Sequence, residues 1–162
     1  MPGSLSRRRM LAGTGIAIGA GALGTAATVA PASAATTSSF ALVGTAMRRL
    51  GPCGRAAPGS SSTVRGTLHR SGGGIAGEFF STGTVLAEHR MLEPQLGWLE
   101  THLFALTDGT ITGIGTVHHD GTGAFTITGG SGRYAAARGS YTTRQTADHS
   151  GTGQALFTFT IG

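Results

Sequence analysis

FTITGGSGRYAAARGS, from Phe125 to Ser140, alternates apolar with polar side chains through Phe125, Thr126, Ile127 and Thr128, then meets Gly129, Gly130 and Gly132. Alternation with a period of two is the mark of a strand with one buried face. The glycines admit positive φ or close backbone approach, which a Cβ resists. Gly139 precedes a second alternating run from Ser140, so the stretch spells strand, glycine corner, strand. It is no phosphate loop, because no Lys-Ser/Thr follows and no helix begins there. Arg133 and Tyr134 behind the glycines read as a donor to loop carbonyls and a plug on the barrel end, with a ligand contact at the rim as the other reading.

Outward from this corner the same alternation recurs. Towards the C-terminus, Arg138–Arg144 and Gln154–Ile161 are strands, the latter with Ala155, Phe157, Phe159 and Ile161 on one face. Towards the N-terminus come Gly123–Thr128, Thr110–His118 and Trp98–Thr107, separated by Asp120-Gly121 and Asp108-Gly109, both two-residue hairpin signals. Ala87 to Gly97 holds charges and a proline and reads as a mouth loop or short helical turn. Before it lie Ile75–Leu86, with bends expected at Gly77 and Gly83, then Thr63–Arg70 and Phe40–Met47. Eight strands with short antiparallel connections leave a sandwich or a closed barrel. Closure is favoured, because a meander loses its edges only by pairing its first strand with its last. The expected fold is all-β, an eight-stranded antiparallel barrel with a central cavity.

The first 34 residues read as an address rather than as structure. Ser6-Arg7-Arg8-Arg9-Met10-Leu11 precedes a Gly/Ala-rich apolar run to Val29 and then Pro31-Ala32-Ser33-Ala34. A basic start, a weakly apolar run and an Ala-x-Ala site make an export signal, and the paired arginines followed by x-Met-Leu resemble the twin-arginine (Tat) consensus. Cleavage between Ala34 and Ala35 would leave residues 35–162 as the barrel domain outside the cytoplasm. A membrane anchor is the other reading of the run.

Composition narrows the function. The formal charge of +5 includes the three arginines at positions 7 to 9; without them nine arginines face seven acids. That is no basic stripe, and nucleic acid is not an expected partner. The lone Cys53 has no second cysteine for a disulfide, metal or redox pair. His69, His89 and His149 share no ligand spacing, and His118-His119-Asp120 reads as an exposed hairpin end, so no metal and no cofactor are expected.

The segments Gly77–Leu86 (GEFFSTGTVL), Leu106–Thr116 (LTDGTITGIGT) and Phe125–Tyr134, with Ala137-Arg138-Gly139-Ser140-Tyr141 after the corner, resemble the allene oxide cyclase-like and dirigent-like barrels, their bacterial members above all. The likeness runs from about Ile75 to Ile161. It implies an eight-stranded barrel with a ligand cavity, assembled as a homo-dimer or homo-trimer. Members of this group cyclise a fatty-acid epoxide, steer the radical coupling of phenols, or cyclise polyketide-derived substrates. Holding a flexible substrate in one reactive conformation supplies up to about 7–11 kcal/mol in favourable cases. The first strand here, Phe40-Ala41-Leu42-Val43-Gly44, lacks the acidic and amide residues that the plant cyclases place there, so the fold carries over without their catalytic residues.

Chemistry centres on the fourth strand. Trp98, Glu100, His102, Phe104 and Leu106 share one face. Facing inward, Trp98 and Phe104 would be pocket walls and Glu100 with His102 the convergent polar groups that a ligand site needs. Glu78 and Phe80 share a face of the preceding strand and would lie beside them, as a third catalytic candidate and a third wall. Facing outward, the same residues would be surface or subunit-contact groups, and Leu99, Thr101, Leu103 and Ala105 would line the barrel. The expected partners are a small apolar molecule and, during export, the Tat translocase. Three functions follow: an exported cyclase or isomerase, a non-enzymatic dirigent-like or lipocalin-like binder, and a structural barrel with a filled lumen.

Overall fold

The computed structural model describes residues 37–50, 57–86, 96–146 and 151–162. The proposed signal with its Ala34/Ala35 cleavage site, the Cys53 turn, most of the loop before Trp98, and His89 and His149 lie outside them. Eight strands close into one antiparallel barrel in chain order: β1 (Ser38–Leu50), β2 (Ser61–Arg70), β3 (Ile75–Val85), β4 (Leu96–Leu106), β5 (Gly109–His118), β6 (Thr122–Gly132), β7 (Gly139–Thr146) and β8 (Gly153–Ile161). Closure is made by β1 against β8, from Ser38 opposite Ile161 to Met47 opposite Gly153. Among the described residues every strand thus has a neighbour on both sides, although β6 pairs with β7 only over Thr122–Thr126.

Two turns differ from the expected ones. The glycine stretch does not end its strand: β6 runs on through Gly130 to Gly132, and the chain turns over Arg133–Arg138. A Cβ on Gly130 would lie 2.5 Å from the carbonyl oxygens of both Thr110 and Tyr134, so glycine serves close packing there rather than a corner. In the β4–β5 hairpin Leu106 pairs with Gly109, making Thr107-Asp108 the two turn residues.

Irregularities in the ladders set which side chains enter the lumen. In β1 the register shifts between Gly44 and Met47, with Ala46 at φ 51°, and Met47 turns inward to full burial. In β3 Leu68 faces Gly77 while His69 faces Ile75, so Ala76 is an extra residue. Ala76 and Phe79 are both buried, three positions apart. The bulge therefore inverts the alternation of everything after it.

The lumen is filled by rings at its middle. Phe79 on β3 meets Phe157 on β8 at 4.8 Å between centroids, and Phe104 on β4 meets Tyr141 on β7 at 5.3 Å and Phe159 on β8 at 5.0 Å. None of these strand pairs is adjacent in the barrel, so the contacts cross the lumen. Open space is found at the two ends instead.

Candidate functional site at one barrel mouth

β4 settles its orientation in favour of the inward face. Glu100, His102 and Phe104 are buried and Trp98 is half-buried, whereas Leu99 and Leu103 are 41% and 37% exposed. Leu106 packs against the core from the far end of the strand.

Glu78 and Phe80, expected beside this face, lie on the outside of the barrel. Phe79, Ser81 and Gly83 are the β3 residues opposite Phe104, His102 and Glu100. Glu78 pairs outside with Arg65, whose guanidinium stands 5.6 Å over the Phe80 ring. The Ala76 bulge is the cause: unbroken alternation from the buried Ala76 would have turned both inward.

The polar centre is a buried cluster on Glu100. One carboxylate oxygen, Oε2, accepts hydrogen bonds from His102 Nε2 at 2.7 Å, Gln145 Nε2 at 3.1 Å and the Ser81 hydroxyl at 3.2 Å. Burial works to raise the Glu100 pKa, but the bonds from His102, Gln145 and Ser81 and the charge interaction with His102 outweigh it, so the carboxyl stays below its ordinary range. For His102, fully buried, desolvation dominates and lowers the pKa against the pull of Glu100. At neutral pH the cluster is therefore a carboxylate beside a neutral imidazole. Two acceptors cannot share a 2.7 Å contact, so Nε2 carries the hydrogen and Nδ1 is left as a lone pair without a partner.

Aromatic packing fixes the imidazole. His102 stacks on Phe125 at 4.0 Å and meets Phe79 edge-on at 4.9 Å. The Tyr141 hydroxyl and Thr143 Oγ1 are also buried without partners, and burial raises the Tyr141 pKa so that it stays a phenol.

Above the cluster the barrel opens into a basin of about 340 Å³. Glu100 and Ser81 reach its floor, while Trp98, Arg49, Val64 and Gln145 contribute walls. The Trp98 ring is held edge-on by His119 at 5.4 Å, and His118 also lines the space. The hairpin end at His118–Asp120 is exposed at His119 and Asp120, as expected, and also forms part of the rim of the mouth. Phe104 sits a layer deeper, fully buried among rings, and is core rather than pocket wall.

Ser81, Gln145 and Arg49 went unread in the sequence. Ser81 shares its inward face with Phe79, and Gln145 continues the Tyr141, Thr143 alternation of β7. Arg49 becomes inward-facing only through the irregularity at Thr45–Met47.

Comparison with known proteins agrees with this architecture. No protein-family profile and no curated protein sequence matches the chain. Among solved structures, pyocyanin demethylase superposes with a TM-score of 0.52 at 17% identity, over 75% of this chain and 98% of its own. The pterocarpan synthase dirigent protein GePTS1 gives 0.52 at 16% identity, over 78% and 84%, and PsPTS1, described in the same words, gives 0.51 at 17%, over 78% and 92%. The chain has the dirigent-like barrel fold. At these identities the likeness carries the barrel alone, and the chemistry of the mouth rests on its own residues. Arg133, expected to bond loop carbonyls, instead points a guanidinium nitrogen at the Asp108 carboxylate, 3.5 Å away, while Tyr134 packs on the core.

Proposed function

We propose that this dirigent-like barrel is an exported ligand-binding protein that seats a small, largely apolar molecule in the mouth above Glu100 and holds it in a conformation that favours cyclisation or isomerisation. One observation carries the reading: an ionised carboxylate with three internal donors stands on the floor of a basin walled by the only tryptophan. Burying such a charge costs several kcal/mol before compensation, a cost that an apolar side chain would avoid. Its use is to accept an O–H or N–H of the ligand and to favour positive charge developing beside it.

Glu100 with a lowered pKa is a weak base, so orientation contributes more here than proton abstraction. His102 fixes the carboxylate and does not reach the basin. The structural neighbours, pyocyanin demethylase and two pterocarpan synthase dirigent proteins, are named for chemistry on small organic molecules, which supports this reading. Export rests on the twin-arginine pattern at residues 6–11 and the Ala34/Ala35 site. The outward Leu99, Leu103 and Ile114, on neighbouring strands β4 and β5, support self-association as a dimer or trimer.

Because Trp98 is the sole tryptophan, its fluorescence reports the mouth directly. Titration with a panel of small hydroxylated apolar compounds is expected to give saturable changes for some of them, weakened in Glu100→Gln. A panel that never perturbs Trp98 would leave the filled barrel as a structural element.

A further inference from the structure

The other end of the barrel holds a second, larger basin of about 610 Å³, formed by the start of β1, the ends of β2 and β8, and the β6–β7 turn. Rings at the middle of the lumen separate it from Glu100. Its apolar lining includes Phe40, Leu42, Tyr134, Ala137 and Ile161. Phe40 stacks on Phe159 at 4.7 Å with an interplanar angle of 6°, and stands 6.4 Å from the tilted Tyr134 ring. An ordered aromatic wall is thus in place on the basin side.

Two guanidiniums, from Arg70 and Arg133, stand on the same lining. Their one acidic neighbour in contact is Asp108, and a single oxygen serves both: Oδ2 lies 3.8 Å from Arg70 and 3.5 Å from Arg133. These separations exceed those of a well-made charged hydrogen bond, about 2.7–2.9 Å. Two guanidiniums share one contacting carboxylate oxygen, and the long contacts leave guanidinium donors free to turn to a ligand. The volume falls in the range of small-molecule pockets.

We propose that this basin is a second ligand site, distinct from the Glu100 mouth, that takes an aryl monoanion: its ring against Phe40 and Tyr134, its carboxylate or sulfonate between Arg70 and Arg133. The walls supply the apolar contact and the guanidiniums supply the selectivity for charge.

A matched pair of probes tests it, 8-anilinonaphthalene-1-sulfonate and the neutral N-phenyl-1-naphthylamine, which share a skeleton and differ by the sulfonate. In amide spectra of the purified protein the sulfonate is expected to shift Ser39–Ala41 and Tyr134–Ala137, and to bind more tightly than the neutral probe. The Arg70→Gln/Arg133→Gln protein should lose about tenfold or more in sulfonate affinity and keep its affinity for the neutral probe. Both arginines are more than half exposed, so folding is not at stake, and the single Arg133→Gln protein provides a second reading. Equal affinity for the two probes, an unchanged sulfonate affinity in the variants, or shifts confined to the Trp98 end would overturn the proposal. Because the readout lies at the opposite end from Glu100, its failure leaves the proposed function standing, and the reverse holds too.

Discussion

His102 Nε2 donates to Glu100 Oε2 across 2.7 Å, two residues apart on one face of β4, and only the carboxylate reaches the basin. The imidazole lies one layer down against Phe125. This division makes Glu100 the ligand-facing group and His102 the residue that positions it.

Acid should destabilise the barrel through both partners. His102 has a folded pKa below its ordinary 6.5, so between the two values the unfolded chain binds the proton that the folded chain refuses. Its contribution is complete above about pH 6.5 and falls away as pH drops below that. Glu100, also lowered, contributes above its ordinary 4.5 and loses that contribution as pH falls further. Urea midpoints at pH 7.5, 6 and 5 should therefore fall steadily. In His102→Gln the decline between pH 7 and 5 should be shallower, and an unchanged slope would show that His102 does not carry it.

Phe104 is the hub of the filled lumen, in ring contact with Phe79, Tyr141, Phe157 and Phe159 from three other strands. Phe104→Ala should cost about 3–5 kcal/mol in denaturant unfolding, because packing from so many directions collapses poorly into the space left.

The bulge at Ala76 can be tested at its glycine. Gly77 has φ 154°, and a Cβ there would lie 2.0 Å from the Ala105 carbonyl oxygen, a backbone atom that cannot step aside. Gly77→Ala should cost about 2 kcal/mol or more and disturb the β3–β4 register. Amide exchange of Phe79–Ser81 in that variant would show the disturbance.

That bulge also marks the limit of what the chain's pattern discloses. Strand number, antiparallel order and closure are legible because alternation and Gly-containing turns are local signals. The inward face of β4 is not, since both of its faces carry Leu or Phe. The β3–β4 pairing is less legible still, because residues 86–95 join the strands without fixing which positions oppose. One extra residue at Ala76 then moved Glu78 and Phe80 outside and brought Ser81 to the cluster. Arg49 and Gln145 join the mouth only through closure, a property of the whole barrel.

Ala46 occupies the left-handed region at φ 51° inside β1. Relief of that strain should let Ala46→Gly stabilise the protein by about 0.5–1 kcal/mol, read as a rise in urea midpoint, despite glycine's greater freedom in the unfolded chain.

The most direct measurement is mass spectrometry of small molecules that co-purify with the exported protein, compared between the wild-type chain and Glu100→Gln. A small, largely apolar molecule bearing an O–H or N–H should be retained by the wild type and lost from the variant. Equal retention by both proteins, or nothing carried by either, would contradict a ligand site built on Glu100.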